Sequence, residues 1–349
     1  MHRALRFFIF LLAFSMLVSL TSCAKYPAVS SSKEERATVF TVDGEYEAPY
    51  ELYRFVFLNV LAAKGDSSQW DEAEKKQVFD ECDAAARKEI ARVYAVFSLC
   101  EEYDIEPYSK EINKAVNQAV ADSIEAEDGG FGDYDTYLKV LSEGYMNDSV
   151  FRFYLRLDIC EEYLAKAMHS ASFVKEDDET VRAHFKGEDT VHATWIYIPY
   201  SSSAYENFTD AMLTSLVEQA KEASDEEFVS MSQQFLQPLY MLDELAEGFY
   251  FGKYQLDPYY ETLTNTAFAL GVGETSDIIH SGDGIYIVRR LAKDDTYIED
   301  ESHIALLREY YLLDCFYRVL GEESTRLIGT LKAEKAYGNI TLDSVKMGE

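Results

Sequence analysis

The sequence predicts an α+β protein in which a mainly helical body, formed by both ends of the chain, carries an inserted α+β module. Three observations predict it. Only six prolines interrupt 349 residues, and long stretches place apolar residues at steps of three and four, the spacing of one helix face. Val191-His-Ala-Thr-Trp-Ile-Tyr-Ile198 and Gly284-Ile-Tyr-Ile-Val288 instead alternate in strand fashion. From Glu301 the helical spacing returns.

In chain order, Val39-Phe-Thr-Val-Asp43 reads as a short strand that turns at Asp43-Gly44. A helix follows with Pro49 near its first position, burying Leu52, Phe55, Val56 and Leu61 and ending at Lys64-Gly65. Asp66-Ser67-Ser68 offers caps for a long helix from about Trp70 to Tyr103, striped by Val78, Cys82, Ala85, Ala86, Val93, Phe97 and Cys100. Pro107-Tyr108-Ser109 restarts helix to about Glu127, and the glycines from Gly129 to Gly132 break it. A short helix from Tyr134 to Leu141 stops at Gly144. Asn147-Asp148-Ser149 then caps a helix carrying Phe151, Tyr154, Leu155, Ile159, Tyr163 and Leu164. Glu176 to Glu179 leads into a turn or two of helix that ends with Phe185.

Beyond the strand at 191–198, helices are expected around 204–222 and 225–235, and a Gly-containing loop over 248–258. Strand signals return at 277–279 and 285–290. A helix from Glu301 to about Lys335 sets Ile304, Leu307, Tyr311, Cys315, Val319 and Leu327 on one face, and Asn339-Ile-Thr-Leu342 reads as a last short strand. The expected divisions are a leader at 1–22, a tether at 23–38, a helical domain at 39–176, a module at 177–295, and a segment at 296–349 that completes the helical domain.

Arg3 and Arg6 precede an uncharged apolar run from Phe7 to Leu20, which is too short to favour a spanning helix and suits a signal segment. It ends in Leu20-Thr21-Ser22-Cys23, which resembles the bacterial lipobox. A lipid-bearing Cys23 would anchor the chain to the cell membrane on its extracytoplasmic face, since two acyl chains hold where one does not. The net charge of −31 opposes phosphate-rich partners, so nucleic acid is excluded as a ligand. Cys82, Cys100, Cys160 and Cys315 fall at apolar helical positions without C-x-x-C spacing. They read as buried free thiols, with one bridge possible. Six histidines without paired Cys/His spacing indicate no metal site, and nothing indicates a cofactor.

Taken in order, several short motifs resemble the PrsA- and SurA-type extracytoplasmic foldases. Val39-Phe-Thr-Val-Asp-Gly44 resembles their opening strand and turn. Tyr134-Asp-Thr-Tyr-Leu-Lys-Val-Leu141, Gly144 and Phe151-Arg-Phe-Tyr-Leu-Arg156 resemble their paired helices, and Val174-Lys-Glu-Asp-Asp-Glu179 through His184-Phe185 their acidic lead into a parvulin module. Within that module Val191 to Ile198 matches the first strand, Glu227-Phe228 the start of a helix, and Gly271-Val-Gly-Glu-Thr-Ser-Asp277 the approach to the last strand, Gly284 to Val288.

The resemblance implies a peptidyl-prolyl isomerase fold whose proline pocket would use Trp195, Leu256, Tyr260, Phe268 and Tyr286. It also implies histidines where Trp195 and Tyr286 stand. An indole only donates hydrogen bonds and a phenol offers one donor and acceptor, so neither reproduces a histidine pair. Strand alternation places His192 on the face opposite Trp195. The expected function is therefore a lipid-anchored chaperone for unfolded or newly exported polypeptides with an impaired isomerase module. The alternatives are an active isomerase and a surface lipoprotein scaffold with a fixed partner.

Overall fold

The computed structural model describes residues 25–62, 64, 70–126, 130–200, 208–236, 248–254, 261–280 and 284–346. The chain divides into two compact units, one made of Met1–Ala171 with Leu320–Glu349 and the other of Ser172–Val319. Its elements run β1 (Thr38–Val42), β2 (Tyr46–Pro49), α1 (Tyr50–Ala62), α2 (Glu72–Glu102), α3 (Lys110–Glu125), α4 (Tyr134–Glu143), α5 (Asp148–Ser170) and α6 (Asp178–Lys186). They continue as β3 (Thr190–Pro199), α7 (Asp210–Glu222), α8 (Asp225–Leu236), β4 (Phe249–Gly252), α9 (Glu261–Ala269), β5 (Ile279–His280), β6 (Gly284–Leu291) and α10 (Asp295–Glu299). The chain ends with α11 (Ile304–Ile328), β7 (Lys332–Ala333), a 3-10 turn (Tyr337–Asn339) and α12 (Leu342–Lys346). Among the described residues this is an α+β architecture with two small antiparallel sheets.

In the first unit, Asp43, Gly44 and Glu45 form a three-residue turn, in which Asp43 and Gly44 adopt positive φ and the Glu45 amide donates to the Val42 carbonyl at 3.1 Å. They join β1 to β2, a strand that four residues with a terminal proline do not announce. β1 also pairs with β7 from the far end of the chain. Phe40, Tyr53, Phe57, Ile90, Phe97 and Phe151 lie fully or almost fully buried among the helices. One polar node joins both termini. Asp83 accepts hydrogen bonds from the hydroxyls of Tyr53 (2.9 Å) and Tyr337 (3.0 Å) and from Arg87 Nε (2.7 Å). The Arg87 guanidinium lies over the rings of Phe40 and Tyr337 at 4.5 and 4.8 Å, a favourable cation–π geometry.

Several boundaries differ from expectation. The cap of α2 is Asp71, whose carboxylate accepts from the Ala73 and Glu74 amides while Glu74 reaches back; this capping box starts the helix two residues after Trp70. Residues 65–69, with the expected cap at Asp66 to Ser68, lie outside the described residues, as do 201–207 of the helix expected from 204. The helix expected from Glu301 to Lys335 ends at Ile328 and gives way to β7. The alternating Asn339 to Leu342 is not a strand but the end of the 3-10 turn and the start of α12. Residues expected as a tether are tied to the unit instead, with the amides of Tyr50 and Glu51 donating to the carbonyls of Ala37 and Glu35. Cys82, Cys100, Cys160 and Cys315 are buried free thiols.

In the second unit the four strands run in the order β4-β3-β6-β5. β4 lies where a loop was expected, because Phe249, Tyr250 and Phe251 are strand formers while their flanking glycines read as breakers. α7 and α8 cover one face of this sheet through Leu213, Val217, Ala220 and Phe228. Elsewhere Val181 and Phe185 of α6 pack with Tyr250, Ile298, Leu307, Tyr311 and Cys315.

Gly252 marks the tightest approach in this unit. A Cβ there would lie 2.1 Å from the buried Asp314 carboxyl carbon, and that carboxylate already accepts from the Tyr254 amide at 2.8 Å and faces His184 Nε2 at 3.2 Å. Gly252→Ala is therefore expected to destabilise this unit by about 2 kcal/mol, the cost typical of overpacking. Urea unfolding followed by circular dichroism checks this, and an unchanged midpoint would show that Asp314 can swing aside freely.

Candidate functional site

The pairing of β3 with β6 builds the site. Eight successive residue pairs match in antiparallel register, from His192 opposite Leu291 to Pro199 opposite Gly284. Alternation sends Val191, Ala193, Trp195 and Tyr197 to one face, joined there by Tyr286 and Val288 of β6, Phe251 of β4 and Ile279 of β5. Leu263 and Ala267 of α9 close part of that face, while Trp195, Phe249, Phe268 and Leu270 remain half-buried at its margin. The expected site residues Trp195, Phe268 and Tyr286 thus share one apolar cluster. Leu256, Tyr260 and Cys23 lie outside the described residues.

Aromatic stacking fixes the cluster. The Trp195 indole lies flat on Phe249, with centroids 4.5 Å apart and planes 12° apart, and meets the edge of Phe251 at 6.2 Å. Tyr197 and Tyr286, directly opposite across the strands, stack at 4.6 Å. Phe268 meets Phe251 edge-on at 6.3 Å. Such contacts contribute about 0.5–1.5 kcal/mol per pair beyond burial. Phe268 is held in turn by Arg290, whose Nη1 donates to the carbonyls of Phe268 (3.1 Å) and Leu270 (2.7 Å) at the end of α9.

The other face keeps the register. Ser232 of α8 donates to the Trp195 carbonyl at 2.7 Å and shares a hydrogen bond with Thr194 at 3.1 Å. The largely buried Arg289 pairs with Asp225 at 2.6 Å, donates to Thr275 at 3.0 Å, and lies over Phe228. His192 is also on this side, stacked on Tyr250 at 4.2 Å, with Nδ1 2.7 Å from the Ala292 carbonyl. His280 pairs with Ile285, also away from the aromatic face, and contacts the Tyr200 hydroxyl at 3.1 Å. Neither strand histidine reaches Trp195 or Tyr286.

Sequence reasoning missed Phe249, Phe251, Tyr197 and Leu263 as members of this cluster. Phe249 and Phe251 alternate as a strand does, a signal obscured by Gly248 and Gly252. Tyr197 follows from the same alternation as Trp195. Among the described residues no group of His, Cys, Asp or Glu side chains could hold a metal ion, and no helix is long and apolar enough to cross a membrane.

No protein-family model and no curated relative matches the chain. Solved structures similar to it include the foldase protein PrsA from Streptococcus pneumoniae str. Canada MDR_19A, at 17% identity and a TM-score of 0.33, covering 78% of this chain and 96% of that one. PrsA from Bacillus subtilis is 16% identical with a TM-score of 0.26, covering 74% and 90%. A SurA-like chaperone structure from Campylobacter jejuni is 14% identical with a TM-score of 0.28, covering 85% and 98%.

Trp195 reports on the site directly, since the sequence contains two tryptophans and Trp70 is the other. In a Trp70→Phe background, Phe249→Ala is expected to expose the indole and move its emission to longer wavelength. An unshifted spectrum would contradict the stack.

Proposed function

We propose that this chain is a lipid-anchored extracytoplasmic chaperone or foldase that assists exported proteins, and that its parvulin-like module grips clients without efficient isomerase chemistry. One observation carries the module's part of the reading. The half-buried face of Trp195, Phe249 and Phe268 presents rings where the sequence resemblance expects a histidine network, and His192 and His280 belong to the opposite face. The order of sequence motifs along the chain supports the chaperone context. Unfolded or newly exported polypeptides are the clients of this reading, and lipid on Cys23 holds the protein at the membrane.

The chemistry follows from the residues. Rotating an X-Pro bond requires loss of amide resonance, a barrier of about 18–20 kcal/mol. An apolar wall can seat a proline ring, but catalysis needs groups that favour the twisted amide over the planar one. Indole and phenyl groups instead offer broad, rigid contact area at low entropic cost, which suits loose and sequence-tolerant binding. An active isomerase is the second reading, favoured by the apolar wall that Leu263 and Phe268 retain.

Two measurements separate these readings. Near-stoichiometric protein is expected to suppress aggregation of several unfolded model clients, and Trp195→Ser with Phe268→Ser to weaken client binding about tenfold, equivalent to about 1.4 kcal/mol. Failure to suppress any client would sink the chaperone reading. Exchange of X-Pro peptides is expected at the uncatalysed rate; acceleration that disappears in Phe268→Ala would establish the isomerase instead.

A further inference from the structure

Tyr26 to Val29 are built into the first unit by a buried ion pair. Asp148 and Arg152 stand one turn apart on α5, only 2% and 7% exposed, with Arg152 Nε donating to Asp148 Oδ2 at 2.8 Å. The Tyr137 hydroxyl donates to Asp148 Oδ1 at 2.7 Å, and Arg152 Nη1 donates to Asn117 Oδ1 at 2.9 Å. The remaining partners are main-chain atoms of the N-terminal segment. The Val29 amide donates to Asp148 Oδ2 at 2.9 Å, and Arg152 Nη2 donates to the Tyr26 carbonyl at 3.0 Å.

Side chains seat the same segment. Tyr26 stacks on Tyr134 at 5.4 Å, the Tyr134 hydroxyl donates to the Pro27 carbonyl at 2.7 Å, and Lys25 pairs with Glu125 at 2.7 Å. A charge pair this far from water is tolerated only when its donors and acceptors are filled. Lifting the segment away would strip one partner from each member.

We propose that this segment is a seated strap and that it holds the α3–α4–α5 end of the first unit against the lipid surface. The proposal rests on the reading of Cys23 as the lipidated residue. Tyr26 follows Cys23 by three residue steps, a reach of at most about 11 Å when fully extended. A free 16-residue linker would instead average about 22 Å between its ends and leave orientation open. Beside the strap, Glu125 is matched by Lys25, while Asp133 caps α4 and Asp135 lies in its first turn next to Tyr134, so zwitterionic headgroups accommodate this end and anionic ones oppose it.

The test uses full-length lipidated protein in phosphatidylcholine vesicles, with a fluorophore on Asp135→Cys and nitroxide-headgroup lipids as contact-range quenchers. The four native thiols of the mature fold are at most 4% exposed, which confines labelling to residue 135. Two variants release the restraint: Tyr26→Ala with Val29→Pro, and a ten-residue Gly-Ser insertion between Cys23 and Lys25 that leaves the strap contacts intact. Quenching is expected to fall about twofold or more in both, as the distance allowed grows from about 11 Å towards about 22 Å. Equal quenching in the intact protein and the insertion variant overturns the strap while leaving lipidation standing. Incorporation of labelled fatty acid, lost in Cys23→Ser, is measured separately; its absence in the intact protein removes both the anchor and the proposal.

Discussion

The register of β3 against β6 is the constraint on which the candidate site depends. Because side chains alternate, a slip of one residue would turn Trp195 towards α7 and α8 and bring His192 to the aromatic side. Three features oppose that slip. Ile196, Ile198, Ile285 and Ile287 fill the face beneath α7 and α8, Arg289 is pinned to Asp225, and Ser232 holds the Trp195 carbonyl. The polar contacts on one side of the sheet therefore decide which rings appear on the other.

Two kinds of side chain meet in this unit with separate tasks. Buried, hydrogen-bonded groups such as Arg289, Thr194 and Ser232 specify geometry, since leaving any of them unpaired would cost about 1–3 kcal/mol. The aromatic margin specifies little of that geometry. Rings at the margin of a sheet can change neighbours without loosening the buried contacts that hold its register, which is the division of labour the proposed sequence-tolerant binding would need.

Much of this was legible in the sequence, and the rest has identifiable physical causes. Long helices such as α2 and α5 declare themselves by apolar periodicity, and Asn147 by its capping chemistry. The alternation of residues 191–198 alone places Trp195 and His192 on opposite faces. Short elements were harder to see. β2 and β4 have four residues each, too few for periodicity to outweigh a proline or flanking glycines, and α9 was not anticipated at all. β7 exists because β1 offers it an edge, a tertiary cause with no local signature. The seating of Tyr26 to Val29 was hidden for the same reason: it has no periodic pattern and precedes the polar run Ser30 to Arg36, while the partners that order it lie more than a hundred residues away.

The Asp83 node sets the order in which the molecule can be completed. Its ligands include Tyr53 near one end of the chain and Tyr337 near the other, and β7 must reach β1 before the small sheet closes. The second unit, Ser172–Val319, is continuous and can finish folding while the first still lacks its C-terminal pieces. A chain delivered from its N-terminal side therefore carries an incomplete helical body until residues 332–337 emerge, and closure of the first unit waits on them.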